Sequence, residues 1–322
     1  MSDKSNDQGR AYEFACLMAL EEEISKYRMV NVERNSSYYA SFRAWEAMPE
    51  PMKETLEISA ASAVQTIFDL EPLIVEDGDD ELTLLIQKDE NGEEGDVRDI
   101  LIIRRDIHWE IGLSIKHNHS AVKHCRLSPT LDFGSVWFGI PCSKEYWDVV
   151  MPIFDELQRM KNEKIKWNEI SNKSDCIYVP LLTAFLDEIN RSYKISQDIS
   201  TKMTEFLLCK YDFYKLISLD NKRTTTIQGF NFRGTINNCG SCEEPKIRVP
   251  RSSLPTEILH TCFKQDKKGN VSKTTVEIYL NEGWAFSFRI HSAEKIACPS
   301  LKFDVQIKSM PSTVMVINKK WN

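Results

Sequence analysis

The stretch that decides the fold is DVRDILIIRRDIHWEIGLSIKHNHSAVKHCR, which spans residues 96–126. Within it, residues 99–104 (DILIIR) and 109–116 (WEIGLSIK) are short runs rich in isoleucine and leucine, which is typical of β-strands. Only a few residues separate the two runs, so a short turn is predicted and the two strands are expected to pair antiparallel. The order of polar and apolar side chains along this hairpin is the strongest functional signal in the chain.

Side chains alternate between the two faces of a strand, so Ile111, Leu113 and Ile115 share one face. We expect that face to be core. The opposite face carries a polar or small set, namely Glu110, Gly112, Ser114 and Lys116. Such a set is unusual for a buried sheet face unless the face holds a functional site. The hairpin can also bring Asp99, at the start of the first strand, close to Ser114 and Lys116.

These residue types suit a metal-dependent phosphodiesterase. A carboxylate such as Asp99 binds Mg²⁺ through hard oxygen ligands. The metal polarises a phosphate and lowers the pKa of an attacking water. A nearby lysine such as Lys116 orients that water or stabilises the developing charge. We therefore expect Mg²⁺ as the cofactor, Asp99 as a metal ligand and Lys116 as a catalytic residue.

The pattern resembles the PD-(D/E)xK nuclease superfamily, in which an aspartate opens one strand and an acid-x-lysine follows on the next. Here Asp99 and Ser114-Ile115-Lys116 occupy those places, with Ser114 lining the site where an acid is usual. Glu110 is a candidate for the missing acid, but four residues of strand place it ~13 Å from Ser114. Glu13 is the favoured second metal ligand, because Gly9-x3-Glu13 resembles the first-helix element by which many of these nucleases bring a glutamate to the metal.

Further segments are similar to the HaeIII-type restriction endonuclease family. They are residues 109–126, 131–134 (LDFG), 137–142 (WFGIPC), 211–215 (YDFYK), 230–235 (FNFRGT) and 284–306 (WAFSFRIHSAEKIACPSLKFDVQ). The resemblance implies a type II enzyme that cuts both strands of duplex DNA at the palindrome GGCC with Mg²⁺. It also implies a homodimer on the two-fold symmetric site, a host DNA methyltransferase as functional partner, and a bacterial cytoplasmic location.

We expect the residues that contact DNA to be mainly basic side chains. Arginine pairs with guanine O6 and N7, which a GGCC site favours, but phosphate contacts use the same residue types. One candidate group lies in the C-terminal part: Arg223, Arg233, Arg248, Arg251 and Arg289. A second group directly follows the catalytic strand: Asn118, His119, Lys123, His124 and Arg126. The alternative for each is an ordinary polar surface residue.

The net charge of −7 argues against nucleic-acid binding, but the distribution of charge along the chain does not. Residues 71–99 hold twelve acids and two bases, or −10, which leaves +3 for the rest of the chain. Residues 201–322 hold nineteen bases and eleven acids, or +8. A local basic surface is enough to attract phosphate. The alternative is a solvated acidic loop and an ordinary basic surface.

Outside the hairpin, the chain is helical first and rich in strands last. Helical spacing predicts helices over residues 9–27, 40–47, 52–67, 145–163 and 179–193, with another beginning within 119–126. Strands are predicted over residues 81–87, 224–236, 276–280, 284–290 and 301–307, and a turn at 89–95.

The fold class expected from this order is α/β, of mixed α+β type. A restriction-endonuclease-like core would have a central mixed sheet flanked by helices, followed by a β-rich C-terminal part. We place the nuclease core with its N-terminal helices at residues 1–200 and the basic DNA-recognition part at 201–322. One compact domain is the alternative.

Several other classes are disfavoured. No apolar run is long enough for a membrane span, and the polar N-terminus predicts no secretory signal. Nine cysteines, an odd number, predict free thiols in a reducing cytosol. Cys239 and Cys242, with His260 and Cys262, can form either a zinc site or a plain loop. No phosphate-binding-loop or dinucleotide-binding fingerprint occurs.

Two alternative functions use the same predicted core. One is a repair or junction nuclease that recognises DNA structure instead of a fixed sequence. The other is a non-catalytic DNA-binding protein with a degenerate nuclease core, which Ser114 motivates because a site that lacks one carboxylate can lose its metal. Cleavage at a fixed sequence, cleavage at branches or nicks, and binding without cleavage distinguish the three.

Overall fold

The computed structural model describes residues 2–76, 78, 80–88, 95–240 and 243–321. The helices are α1 (Ser2–Ile24), α2 (Ser36–Glu46), α3 (Glu50–Leu70), α4 (Phe133–Phe138), α5 (Lys144–Asn162), α6 (Val179–Ile195) and α7 (Ile199–Leu208). The first six strands are β1 (Val30–Glu33), β2 (Leu82–Ile86), β3 (Ile100–Arg104), β4 (Trp109–His117), β5 (Lys123–Leu127) and β6 (Phe213–Leu219). The others are β7 (Thr224–Phe230), β8 (Ile258–Gln265), β9 (Val271–Leu280), β10 (Ala285–His291), β11 (Leu301–Ser309) and β12 (Met315–Lys320). The mixed α+β class is confirmed.

The chain divides into two compact units. Unit 1 comprises residues 1–120, 209–253 and 312–322, and unit 2 comprises residues 121–208 and 254–311. The two units interleave along the sequence, which differs from a single boundary at residue 200. The reason is that β6, β7 and β12 join the sheet that contains β4, while β8 to β11 form a separate sheet with β5.

Unit 1 is built on a seven-stranded sheet with the order β1-β2-β3-β4-β6-β7-β12. The β1–β2 and β4–β6 pairs are parallel, and the other neighbours are antiparallel. The predicted hairpin is confirmed as β3 and β4, with Ile100 opposite Leu113. Because β4 is the middle strand of this mixed sheet, a polar group on β4 lies near the middle of the sheet.

Helices α1 and α3 pack against one face of this sheet. The three residues predicted to be core, Ile111, Leu113 and Ile115, are all buried in the cluster that these helices form with the sheet. On α1, Tyr12, Cys16 and Leu20 are buried, as their helical spacing predicts. The other face of β4 carries Ser114 and Lys116.

Unit 2 contains a five-stranded antiparallel sheet with the order β5-β11-β10-β9-β8. Helix α6 packs against β8 and β9. Its Phe185 ring lies 5.3 Å from Phe288 and 4.9 Å from Phe303, measured between ring centroids. The predicted β-rich C-terminal part is therefore confirmed, although three of its strands, β6, β7 and β12, belong to the other sheet.

The helix predicted to begin within residues 119–126 is wrong. This segment leads into β5, which pairs antiparallel with β11. Cys125 and Leu127 are buried while Arg126 between them is exposed, which is the period of a strand. Pairing with a distant strand overrides the local helical tendency here.

One smaller difference concerns a strand boundary. The strand predicted over 224–236 ends at Phe230, and the chain beyond it forms a loop. Most of the turn predicted at 89–95 lies outside the described residues. Within the part of the chain that the structure describes, no helix has the length and apolar character needed to cross a membrane.

Glu71, directly after α3, is a buried carboxylate in unit 1. Its Oε1 accepts hydrogen bonds from the Tyr214 hydroxyl and from the backbone N–H of Asn237, both at 2.6 Å. Its Oε2 has no hydrogen-bond partner among the described residues. Burial raises the pKa of Glu71 to about 7, although the two hydrogen bonds oppose that shift. Ionised Glu71 is therefore costly to the folded state.

Glu71→Gln should change how stability depends on pH. Wild-type Glu71 binds its proton more tightly when folded, so the wild-type protein should lose stability as pH rises from 4.5 to 7. Glutamine does not titrate, so the variant should gain about 3 kcal/mol relative to wild type across this window. Urea unfolding at pH 5 and pH 8 measures this difference. Glu57→Gln, at an exposed position of α3, is the control, and parallel pH curves for wild type and Glu71→Gln would contradict the prediction.

Candidate active site

The Asp99 carboxylate is the centre of the site. Asp99 stands directly before β3, and its backbone N–H donates to the Leu113 carbonyl at 2.7 Å. Its Oδ2 accepts hydrogen bonds from the Ile115 backbone N–H at 2.5 Å, from Lys116 Nζ at 3.1 Å and from Ser114 Oγ at 3.4 Å. The structure thus brings Asp99, Ser114 and Lys116 together on the predicted face of the hairpin.

The same contacts leave one carboxylate oxygen accessible. All three donors meet Oδ2, and Oδ1 accepts no hydrogen bond from the described part of the chain. The side chains of Asp99 and Lys116 are 24% and 19% exposed, while Ser114 is buried. Solvent and a substrate phosphate can therefore reach the ion pair of Asp99 and Lys116.

Glu13, on α1, lines a cleft of unit 1. Its Oε2 accepts a hydrogen bond from Ser41 Oγ at 3.2 Å. The same cleft is lined by Arg10, Gln87 and Lys88, among others. Gln87 donates its backbone N–H to the Asp99 carbonyl at 2.9 Å, so the cleft reaches the residue paired with Asp99.

The buried Cys16 thiol of α1 is affected by the charges of both Glu13 and Asp99. Burial is the main cause that raises the pKa of Cys16, and the negative charges of Glu13 and Asp99 raise it further. Both carboxylates therefore act on the same buried sulfur. Glu13 remains the favoured partner of Asp99 for a metal.

Glu110 does not join this group. Its Oε1 accepts a hydrogen bond from Arg98 NH1 at 2.7 Å. Arg98 also donates from Nε and NH2 to the two oxygens of Asp96, both at 2.8 Å. The Arg98 side chain passes over Gly112, where an added Cβ would lie 2.0 Å from Arg98 Cδ. Glu110 is therefore engaged in a structural ion-pair network at the other end of β4.

The structure adds Lys215, which the sequence analysis quoted only within a family motif. Lys215 lies on β6, directly beside Ser114 in the parallel β4–β6 pairing. It is buried, and its Nζ donates to the Ser120 carbonyl at 3.0 Å. Burial and the charge of Lys116 lower the pKa of Lys215 to about 7, against the opposing effect of Asp99. The only signal in the sequence is one lysine inside an apolar strand, FYKLISL.

The residues after β4 have separate surroundings. Asn118, with a positive φ of 57°, donates to Asp220 Oδ2 at 2.8 Å and accepts from the Asp220 backbone N–H at 3.0 Å. Lys123 donates to the Phe206 carbonyl at 3.0 Å and lies over the Phe206 ring. Asn118 and Lys123 therefore make internal contacts, and Asn118 and His119 are both exposed. His124 lies on β5, and its side chain is outside those described.

Two of the candidate arginines are presented by one well-anchored loop of unit 1. The buried Asp212 carboxylate accepts the backbone N–H groups of Phe232, Arg233 and Thr235 at 2.7 to 3.1 Å. Arg251 donates to the Phe232 carbonyl at 3.2 Å. Arg233 and Arg251 are both exposed beside this anchored segment.

The other candidate arginines are all exposed. In unit 1, Arg248 pairs with Glu244 at 2.8 Å, and Arg223 lies 5.9 Å from the Trp321 ring centroid. In unit 2, Arg126 donates to Ser300 Oγ at 3.2 Å, and Arg289 pairs with Asp304 at 3.3 Å. The predicted DNA-binding residues are thus distributed over both units.

The donor set at Asp99 fits a hard divalent cation. Mg²⁺ is usually held by one or two carboxylates together with substrate phosphate and water. Asp99, and Glu13 in its cleft on α1, would supply such carboxylates. Among the described residues, no group of three or more histidine, cysteine or acidic side chains is arranged to hold a metal, so a phosphate oxygen would have to complete the coordination.

The zinc alternative gains no support from the described residues. Cys239 is exposed and accepts a hydrogen bond from Arg248 at 3.4 Å. Cys242 lies outside the described residues. His260 and Cys262 are on β8 of unit 2.

Unit 1 has a mixed sheet in which an aspartate and a lysine of neighbouring strands share one face. The resemblance to the PD-(D/E)xK nucleases predicts this arrangement. A family model described as HaeIII restriction endonuclease matches residues 9–311. The Type II restriction enzyme HaeIII of Haemophilus aegyptius is 48% identical over 322 residues, which cover 100% of this chain and 99% of that protein. No solved structure matches the chain.

The chain therefore belongs to the HaeIII restriction endonuclease family and is, by class, a restriction endonuclease. The family resemblance drawn from the sequence motifs is confirmed.

Gly112→Ala tests the structural assignment of Glu110. The added methyl group overlaps the Arg98 side chain, so Arg98 must move away from Asp96 and Glu110. We expect the variant to lose about 2–3 kcal/mol of unfolding free energy, as measured by urea denaturation.

Gly9→Ala is the matched control, because an added Cβ there meets nothing within 4 Å and Gly9 lies inside α1. That variant should be unchanged or up to about 1 kcal/mol more stable. If Gly112→Ala is as stable as wild type, Arg98 does not occupy the space over Gly112.

Proposed function

We propose that this chain cleaves both strands of duplex DNA at GGCC, uses Mg²⁺, and acts as a homodimer on the two-fold symmetric site. The observation that carries the catalytic part is the convergence of Ile115 N–H, Ser114 Oγ and Lys116 Nζ on one oxygen of Asp99. Family membership supports the restriction activity, and 48% identity over the full length to an enzyme named HaeIII supports GGCC as the site.

Asp99 and Glu13 would hold the metal. When bound, Mg²⁺ supplies a Lewis acid that polarises the scissile phosphate and lowers the pKa of the attacking water. The chain's own contribution begins with the Ile115 N–H, which fixes the Asp99 carboxylate through Oδ2 and leaves Oδ1 for the cation. Ser114 adds a neutral hydrogen bond to Oδ2 and no further negative charge.

The ion pair with Asp99 positions the Lys116 ammonium for its proposed catalytic role. Its ammonium group contacts Asp99 at 3.1 Å and is partly exposed. With a phosphodiester in place, the same ammonium can donate to a phosphate oxygen or to the attacking water while it stays close to Asp99. A positive charge at that point stabilises the negative charge that develops on the phosphate oxygens.

Recognition is assigned first to Arg233 and Arg251. Both side chains are exposed; Asp212 holds the backbone at Arg233, and Arg251 donates to the neighbouring Phe232 carbonyl. An arginine can donate two hydrogen bonds to guanine O6 and N7. Each half of the GGCC site contains two guanines. Other exposed basic or polar candidates for phosphate contacts are His119, Arg126, Arg223, Arg248 and Arg289.

The cellular setting follows from the proposed activity. An enzyme that cuts GGCC in its own cell requires a DNA methyltransferase that modifies the same sequence, and we propose one as a functional partner. We also propose that the protein works in the bacterial cytoplasm, where its DNA substrate enters. A non-catalytic DNA-binding role is the second candidate, favoured by Ser114 at a position where an acid is usual.

Digestion of a sequenced plasmid with Mg²⁺ tests the catalytic assignment. Wild-type protein should produce discrete fragments that end at GGCC. Asp99→Asn and Lys116→Met should each lower the cleavage rate at least about 1,000-fold, because each removes a charge at the reacting phosphate. Glu13→Gln should lower the rate and raise the Mg²⁺ concentration needed for half-maximal cleavage.

Glu110→Gln is the matched control, because it removes a carboxylate from the same face of β4 that pairs with Arg98. It should retain cleavage within about tenfold and lose some stability. Fragments at other sequences would contradict GGCC. Tight binding of intact plasmid by the wild-type protein with Mg²⁺ present would support the non-catalytic role instead.

A further inference from the structure

Lys215 shares a sheet face with the proposed site. In the parallel pairing of β4 with β6, Ser114 lies beside Lys215, and neighbours in register point to the same side of a sheet. The residues that flank Lys215 on β6, Tyr214 and Leu216, belong to the helix-covered core on the other side. Lys215 is therefore on the face that carries Asp99, Ser114 and Lys116.

Burial at this position destabilises the charged form of a lysine. Lys215 is 3% exposed, and its β6 neighbours on the same face, Phe213 and Ile217, are buried as well. Removing an ammonium group from water opposes folding even when it donates to a carbonyl, as Lys215 does to Ser120. The lowered pKa of Lys215 has the same cause. A methionine of similar length would avoid that cost.

The charges of two side chains of the site act on Lys215. They are Lys116, which disfavours the charged form of Lys215, and Asp99, which favours it. The site therefore places two lysines near Asp99, with Ser114 of β4 beside Lys215. An anionic phosphate bound there would favour the charged form of both lysines, in surroundings where charge interactions are stronger than in water.

We infer that Lys215 is a positioning residue of the active site, which acts through Lys116 and through its hold on the Ser120 carbonyl. Its ammonium group, held on β6 beside Ser114, repels the Lys116 ammonium and favours the position of Lys116 at Asp99. This inference rests on the proposed function and adds a second lysine to it.

The step that this arrangement serves is ordinary hydrolysis. The oxygen of a water molecule forms a bond to phosphorus, and the bond from phosphorus to the leaving sugar oxygen breaks. The water gives up a proton to solvent, and the leaving oxygen takes one up. Negative charge increases on the phosphate oxygens before that bond breaks, and a well-placed Lys116 lowers the barrier most at this point.

Lys215→Met separates this role from a structural one, because the two roles predict opposite changes in stability. We expect the melting temperature of the variant to rise, since a buried charge is removed. The single-turnover rate on a short GGCC duplex with Mg²⁺ should fall about 100-fold. The dissociation constant for the same duplex, measured with Ca²⁺ in place of Mg²⁺, should stay close to that of wild type.

Lys26→Met is the control, because it makes the same substitution at an exposed residue of unit 1 whose ion pair is with Glu23. It should leave rate, affinity and melting temperature unchanged. A Lys215→Met protein that cleaves at the wild-type rate would overturn the inference. So would a variant that loses both rate and melting temperature, because Lys215 would then serve the fold. Failure of the wild-type protein to cut GGCC would refute the proposed function itself, a result seen without any Lys215 variant.

Discussion

The hydrogen bond from the Ile115 backbone N–H to Asp99 Oδ2 is the contact on which the rest of the site depends. It joins a side chain at the start of β3 to the main chain of β4, so it exists only when the two strands pair with Ile100 opposite Leu113. A shift of one residue would turn Ser114 and Lys116 into the helix-covered core and bring Ile115 to the site face. The burial of Ile111, Leu113 and Ile115 therefore fixes the register, and the register fixes the geometry of the site.

The charged side chains at the two ends of β4 are arranged differently. At one end, Arg98 is enclosed by Asp96 and Glu110, and Gly112 provides the space for it. At the other end, one carboxylate faces Lys116, with Lys215 on the adjoining strand. The acidic segment of residues 71–99 is accordingly more than a solvated loop, since Glu71 is buried and Asp80 and Asp96 pair with buried arginines. Asp99 is instead the carboxylate of the hairpin that pairs with Lys116.

The local features of this protein could be predicted from its sequence, and the features that depend on distant pairing could not. Alternation along residues 109–116 was enough to identify the core face and to bring Asp99 to Lys116, because both strands lie within one hairpin. The strand β5 was predicted as a helix because its partner β11 is far away in the chain. Lys215 was not recognised as a site residue, because β6 reaches β4 only through a parallel pairing across about 100 residues of sequence. The sequence offers Glu110 as a candidate acid of the site, since nothing in the sequence shows that Arg98 passes over Gly112 and pairs with Glu110.

The central claim is that Asp99 and Glu13 hold one divalent cation beside Lys116. Fe²⁺ in place of Mg²⁺, with ascorbate and peroxide, generates radicals that cut the polypeptide next to the bound metal, and mass spectrometry locates the cuts. The account predicts cuts close to Glu13, Asp99 and Ile115 in the wild-type protein bound to a GGCC duplex, and their loss in Asp99→Asn. Cuts confined to other parts of the chain, or the same cuts in Asp99→Asn, would contradict it.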